Sequence, residues 1–245
     1  TIAGAELSDP LTAFSEIDRV LDACDRFKRP VYIELPRDMV HVVPPVAHGY
    51  ARPVYEHNEE ATAEAIAETC GRLEVAKKPV ILAGVELHRF GLQDQLLKLA
   101  ESCNIPISTT MLGKSVVSER HPLFIGLYEG AIGNEEVTRF VEDSDLVLML
   151  GAFLSDINLG IYTAKLDPDR CVYATSEELR ISHHHYHHVG LKAYIEGLTT
   201  AHIKPATREI PDSLKRREEE EPAVPTDGEQ LLRTSRMMGI LNRRI

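Results

Sequence analysis

The residues best suited to chemistry are crowded into one histidine-rich run. Five histidines fall within six residues: His183, His184, His185, His187 and His188. Imidazoles at alternate positions of a strand share one face and can bind a transition metal. A strand here would group His183, His185 and His187, but no second segment that would add an Asp, Glu or Cys ligand can be identified. We therefore favour a polar strand and turn near the end of a sheet, without a dedicated metal.

Glycines after apolar segments form a second candidate site. Gly84 and Gly151 each directly follow a five-residue apolar run. Ligands of open parallel sheets bind in the crevice outside the carboxyl ends of the strands, where a lysine could contact a phosphate. The candidates for a nucleotide crevice are Gly84, Gly113, Lys114, Gly151, Ser155 and Asp156. The competing interpretation is that the glycines only allow a tight exit from each strand.

The established sequence motifs for nucleotide binding and acyl transfer are absent. The sequence contains no G-x-G-x-x-G, no G-x-x-x-x-G-K-[ST] and no G-x-S-x-G. Gly126, Gly130 and Gly133 are spaced as turns. From the residues alone, the chain is an α/β protein whose function cannot be read.

Composition excludes several classes of partner. The 245 residues include 27 Lys and Arg against 38 Asp and Glu, a net charge of −11, which disfavours nucleic acid and anionic membranes. No apolar run approaches the roughly 20 residues that span a bilayer, and the N-terminus lacks a signal-peptide pattern. The four cysteines lie far apart in sequence, so we expect buried thiols in a reducing, cytoplasmic setting.

The chain before residue 58 predicts a helix, a strand and a linker. Asp9 and Pro10 are typical of a helix start, with Asp9 as the N-cap, and Pro30 ends that helix. Residues 31–35 predict a strand. Residues 40–55 are rich in proline and lack periodicity, so we expect an extended linker.

From residue 58 onward, helices and strands alternate. Asn58 is expected to cap a helix over 59–76, and Asn134 a helix to about residue 142. Further helices are predicted from residue 92 to 103 and over 191–203. Strands are predicted over 79–83, 105–109, 146–150 and 171–175. Such apolar strands alternating with helices indicate an α/β fold, a parallel sheet covered on both faces.

The composition shifts again after residue 203. Residues 204–229 contain four prolines and a charged run over 215–221, which we interpret as a solvated linker. Residues 229–245 form an amphipathic stretch that begins another element. We therefore expect a piece of a longer protein, with one complete domain between two incomplete ones.

Four stretches resemble the thiamine-diphosphate-dependent 2-oxo acid decarboxylases, with the pyruvate, indolepyruvate and phenylpyruvate enzymes as the most similar group. The first resembles the end of their pyrimidine-binding domain, and the other three their central domain. In order they are KRPVYIELPRDMV, KKPVILAGVELHRFGL, TTMLGKSVVSERHPLFIGLYEG and VEDSDLVLMLGAFLSDINLG, beginning at Lys28, Lys77, Thr109 and Val141.

The resemblance implies a domain layout. Residues 1–40 would end the pyrimidine-binding domain, and residues 58–203 would form the central three-layer α/β/α domain with a sheet of about six strands. Residues 41–57 and 204–227 would be linkers, and residues 228–245 would begin the pyrophosphate-binding domain.

The resemblance also implies an activity and its partners. The parent enzyme would use thiamine diphosphate and Mg²⁺ to convert pyruvate or an aryl-pyruvate to an aldehyde. The family's activating glutamate and its Gly-Asp-Gly motif lie outside this segment; only Asp227-Gly228 occurs here. No catalytic or cofactor residue is therefore carried over, and the segment alone is expected to be inactive. Its partners would be the pyrimidine and pyrophosphate domains of the same chain, in a homodimer or homotetramer.

An alternative remains open. The segment would then be an ADP- or FAD-binding module of an acetolactate-synthase-like thiamine-diphosphate enzyme, with the nucleotide in the strand-end crevice.

Overall fold

The N-terminal unit is a helix packed on a pair of parallel strands. The computed structural model describes residues 1–215, together with Met237, Met238 and Leu241. Strand β1 (Gly4–Glu6) pairs in parallel with β2 (Tyr32–Glu34), and helix α1 (Ala13–Phe27) connects them. The predicted helix and strand are confirmed, although both are shorter than expected.

The predicted cap of α1 is wrong. The helix begins at Ala13, its N-cap is Thr12, and no side chain caps it. The Asp9 carboxylate instead accepts a hydrogen bond from the Leu11 amide at 2.8 Å. Aspartate readily makes this local turn, which competes with capping, so the helix starts one turn later.

The segment after the N-terminal unit has no helix or strand between residues 40 and 58, but it is fastened to α1. His48 contacts Asp18 at 3.0 Å, and Arg52 donates to Asp25 at 2.8 Å. The Tyr50 hydroxyl also donates to Asp22. These contacts hold the segment along one face of the helix.

The second unit is a sheet domain of alternating strands and helices. Its helices are α2 (Glu59–Val75), α3 (Val85–Arg89), α4 (Gln93–Cys103), α5 (Glu135–Glu142) and α6 (Leu191–Thr200). Its strands are β3 (Pro79–Ala83), β4 (Ile107–Thr110), β5 (Phe124–Tyr128), β6 (Leu146–Leu150), β7 (Cys171–Ala174), β8 (Leu179–Ile181) and β9 (His184–Tyr186). Asn58 and Asn134 cap α2 and α5 with their side chains, as predicted.

The seven strands form one sheet in the order β5-β4-β3-β6-β7-β8-β9. The first five strands are parallel, and β8 and β9 add to the edge as antiparallel strands. The predicted α/β class is confirmed, with one strand more than the expected six and a mostly parallel rather than wholly parallel sheet.

The sheet is covered on both faces, which gives three layers. One core cluster packs α2, α4 and α6 against one face, through side chains such as Leu73, Leu99 and Ile195. The other packs α5 against the opposite face, through Val137 and Val141. Strands β3 and β6 are buried at every position, as expected for parallel strands between two helical layers.

Strand β5 is not predicted from the sequence, because the spacing of its glycine is typical of a turn. Gly126 has a φ of +121°, a conformation that other residues rarely adopt. A Cβ there would lie 2.8 Å from Cγ2 of Val137 on α5. The glycine therefore permits close packing of the helix on the strand, which local sequence does not reveal.

Residues 204–215 lie across the end of the sheet where β3 begins. Ala206 exchanges hydrogen bonds with Cys103 and Asn104 at the end of α4. Farther along, Ile210 and Leu214 pack against the core cluster beneath α5. This strap, residues 204–215, therefore joins the two helical layers. The predicted continuation to residue 227 and the helix over 229–245 lie almost entirely outside the described residues.

Arg208 fastens the strap. Its guanidinium donates to the Phe140 carbonyl at 2.6 Å, the Ser144 hydroxyl at 2.7 Å and the Lys78 carbonyl at 2.8 Å. The same group lies 3.4 Å from the centroid of the Phe140 ring. Burial lowers the pKa of Arg208 to about 10, so it stays charged at neutral pH.

In the part of the chain that the structure describes, no helix is both long enough and apolar enough to cross a membrane.

Candidate functional site at the strand ends

The predicted crevice lies where the carboxyl ends of the parallel strands meet. Gly84 follows β3, and its amide donates to the Leu150 carbonyl at 2.9 Å. Gly151 follows β6, and its amide donates to the Ala174 carbonyl at 2.7 Å. Neighbouring parallel strands thus bring these two glycines together, as their positions after apolar runs suggested.

Because these glycines have no side chains, the backbone of neighbouring segments fills the crevice. A Cβ on Gly84 would lie 2.1 Å from the Gly151 carbonyl oxygen and 2.2 Å from Cα of Ala152. A Cβ on Gly113 would lie 2.6 Å from the Ala83 carbonyl oxygen and 3.1 Å from Cα of Gly84. Each of these contacts is with backbone, which cannot rotate away. Three of the six candidates therefore meet, and their small size serves chain packing.

The other three candidates do not converge on a ligand position. Lys114 is exposed and lies 3.9 Å from the Glu119 carboxylate. Ser155 and Asp156 accept backbone hydrogen bonds from their own turn, at the amides of Asn158 and Ile157. These polar groups are thus engaged locally.

Glu86 is a buried carboxylate at the strand ends that sequence reasoning did not single out. It is the second residue of α3, the helix that directly follows Gly84, and its side chain is fully buried. Its two oxygens accept hydrogen bonds from the Ser176 amide at 2.8 Å and the Ser176 hydroxyl at 2.5 Å. Burial raises the pKa of Glu86, while the Ser176 hydrogen bonds and the nearby Arg29 charge oppose that rise. A lone Glu in an apolar stretch gave no signal of this partner 90 residues away.

The histidine run forms the edge strand β9 and the turns beside it. His184 contacts Glu68 of α2 at 2.9 Å, and the Tyr186 hydroxyl donates to the same carboxylate at 2.7 Å. His183 instead contacts Asp169 at 2.7 Å. Among residues 1–215, no group of three His, Cys, Asp or Glu is placed to bind one metal ion. The predicted polar strand near the end of the sheet is confirmed by β9.

A cavity of about 580 Å³ lies between the end of α1, residues 55–57 and the connection from β9 to α6. Arg26 and Lys192 line it together with the carboxylates of Glu177 and Glu178. Arg26 stacks on the Tyr55 ring, 4.1 Å from its centroid. The mixed charge of the walls favours neither an anion nor a cation.

The strand ends do not fit a nucleotide. Phosphate sites of α/β sheets need free backbone amides facing an open space. Here the amides of Gly84 and Gly151 are used by neighbouring strands, and the space is filled by Ala152 and Glu86.

We expect calorimetric titration with ADP or FAD to show no saturable heat at high micromolar ligand, because the crevice is closed by the chain itself. Titration of the same chain with thiamine serves as the blank for these two titrations. Stoichiometric binding of either nucleotide in the micromolar range would contradict the closed crevice.

A thiamine enzyme also needs a site for its metal and its diphosphate. Mg²⁺ in such sites is held by carboxylates together with phosphate oxygens. Among residues 1–215, no three His, Cys, Asp or Glu side chains are placed to bind one ion by themselves. We therefore derive no catalytic step from them.

Comparisons with known proteins agree with this architecture. A family model described as the central domain of thiamine pyrophosphate enzymes matches residues 66–201, more than half of the chain. The indole-3-pyruvate decarboxylase of Azospirillum brasilense is 35% identical over 199 residues, covering 81% of this chain and 36% of that protein. Pyruvate decarboxylase isozyme 2 of Saccharomyces cerevisiae is 31% identical over 201 residues, covering 80% of this chain and 36% of that protein.

The match runs through the strand ends described above and through both helical layers. The chain spans about a third of the length of these relatives. It belongs to the family of thiamine-diphosphate-dependent 2-oxo acid decarboxylases, and its residues 66–201 form the central domain.

Proposed function

We propose that this chain is the central segment of a thiamine-diphosphate- and Mg²⁺-dependent enzyme that converts pyruvate or an aryl-pyruvate to an aldehyde. The family match over residues 66–201 carries the proposal, and the relatives are named for decarboxylation of pyruvate and of indole-3-pyruvate. In this proposal the segment is a scaffold and is inactive alone, because the resemblance places the family's activating glutamate and its Gly-Asp-Gly motif outside it.

The N-terminal unit supports a place inside a larger enzyme. Strands β1 and β2 form a two-stranded parallel pair, and all three residues of β2 are exposed. Parallel sheets are stable when both faces are covered and when more than two strands take part. We therefore propose that further strands of a pyrimidine-binding domain extend this pair, with the whole enzyme assembling as a homodimer or homotetramer.

The nucleotide-binding alternative has less support. It needs an open crevice at the strand ends, and the contacts of Gly84, Gly113 and Gly151 close it.

A domain exchange tests the proposed function. Residues 30–205 of this chain would replace the matching segment of the indole-3-pyruvate decarboxylase of Azospirillum brasilense. We expect the chimera to release CO₂ from indole-3-pyruvate in a thiamine-diphosphate-dependent manner, because a compatible scaffold restores the domain arrangement. The chimera carrying Gly84→Ala is the control, and it should lose activity through misfolding of the scaffold.

Two results would contradict the proposal. One is a chimera that folds, as judged by circular dichroism and cooperative unfolding, but is inactive on indole-3-pyruvate, phenylpyruvate and pyruvate. The other is aldehyde formation by the isolated chain, which would place catalytic residues within it.

A further inference from the structure

Arg29 joins the N-terminal unit to the sheet domain. Arg29, just after α1, pairs with Glu177 in the turn between β7 and β8. Within residues 1–215, this is the one side-chain hydrogen bond between residues 1–40 and the sheet domain. The Arg29 guanidinium also lies 5.0 Å from the ring centroid of Phe153, in the loop after β6.

Glu86 holds the turn that contains Glu177. Ser176 precedes Glu177, and both its amide and its hydroxyl donate to the Glu86 carboxylate. Hydrogen bonds to a charged, buried acceptor are stronger and more directional than neutral ones. They fix the backbone of the turn one residue before the side chain that meets Arg29.

Glu86 is itself fixed by the packed strand ends. The Glu86 amide donates to the Gly151 carbonyl at 3.1 Å, and a Cβ added to Gly151 would lie 3.0 Å from the Cβ of Glu86. The path from the sheet to the N-terminal unit is therefore continuous, from Gly151 through Glu86 and Ser176 to Glu177 and Arg29.

We propose that Glu86 is a positioning residue for an interdomain clasp: its buried carboxylate orders the β7–β8 turn so that Glu177 pairs with Arg29, beside Phe153, and thereby docks the N-terminal unit on the strand ends. This role accounts for a fully buried carboxylate that the family resemblance and the candidate crevice leave unexplained. It is independent of the proposed decarboxylase function.

Hydrogen exchange of the 245-residue chain, followed by mass spectrometry, tests the clasp. Arg29→Met should lower the protection of β1 and β2 about fivefold, because it removes one ion pair and one cation–π contact. Glu86→Ala should lower the same protection by a similar factor. The double variant should lose no more than either single variant, since both changes open the same clasp.

Two further variants keep the test decisive. Lys28→Met is the matched control: Lys28 pairs with Asp25 inside the N-terminal unit, at 2.6 Å, so docking should not change. Ser176→Ala removes only the hydroxyl donor to Glu86. It therefore tests the role of Glu86 in the clasp even if Glu86→Ala does not fold. It should lower the protection of β1 and β2 by about twofold to threefold, the effect of one hydrogen bond, while β3 and β6 stay protected.

The proposal fails if Ser176→Ala, or a folded Glu86→Ala, leaves the exchange of β1 and β2 as in the unchanged chain. It also fails if the effects of Glu86→Ala and Arg29→Met multiply in the double variant, because independent contributions would show that Glu86 does not act through the clasp.

Discussion

Gly84→Ala is expected to lower the free energy of unfolding by about 3 kcal/mol or more. The added methyl would lie 2.1 Å from the Gly151 carbonyl oxygen and 2.4 Å from the Ala152 amide nitrogen. Both are backbone atoms of the segment that directly follows β6, so relief requires separating β3 from β6 at their carboxyl ends. Urea unfolding followed by circular dichroism measures the loss as a lower transition midpoint.

Gly71→Ala is the matched control for that substitution. Gly71 lies inside α2, and a Cβ there meets nothing within 4 Å. Alanine has the higher helix propensity, so this variant should gain about 0.5–1 kcal/mol. Equal midpoints for the two variants would show that the strand ends are looser than the structure indicates and that the crevice could open.

Arg208→Met is expected to lower the free energy of unfolding by about 3 kcal/mol. Methionine keeps much of the apolar stem but removes the hydrogen bonds to the carbonyls of Phe140 and Lys78 and to the Ser144 hydroxyl. Those acceptors lie at the end of α5 and the start of β3, where the strap covers them. The strap should then detach, and thermal or urea unfolding would record the loss.

Two controls separate the geometry of Arg208 from its charge. Arg208→Lys keeps the positive charge but lacks the planar guanidinium that donates to several acceptors at once. It should therefore recover only part of the stability. Glu209→Ala changes the exposed neighbouring residue and should shift stability by less than about 0.5 kcal/mol. An Arg208→Met variant as stable as the original chain would mean that the strap contributes nothing to the sheet domain.

Local signals predicted the elements whose stability is local. The strands at 79–83 and 146–150 are confirmed residue for residue, because five consecutive apolar residues between a charged residue and a glycine are typical of a buried parallel strand. The caps at Asn58 and Asn134 are confirmed because a cap needs only its own first turn. Asp9 failed as a cap for a related reason, since its own turn competes at the same range.

Long-range contacts explain what the sequence could not provide. The polar run from His183 gave little sign of pairing with β8, because an antiparallel edge strand needs no apolar pattern. Gly126 was assigned to a turn because its packing partner, Val137, lies eleven residues away on another element. Convergence at the strand ends was predictable from the parallel pattern. The sequence does not reveal that backbone fills the crevice, because this depends on distances between separate strands.

Calorimetric titration of the 245-residue chain with thiamine diphosphate and Mg²⁺ would show whether the cofactor site lies within it. We expect no saturable heat at high micromolar cofactor, because in the proposed function the metal and the diphosphate are held outside this segment. Stoichiometric binding in the micromolar range would contradict it and would place the cofactor site within this chain.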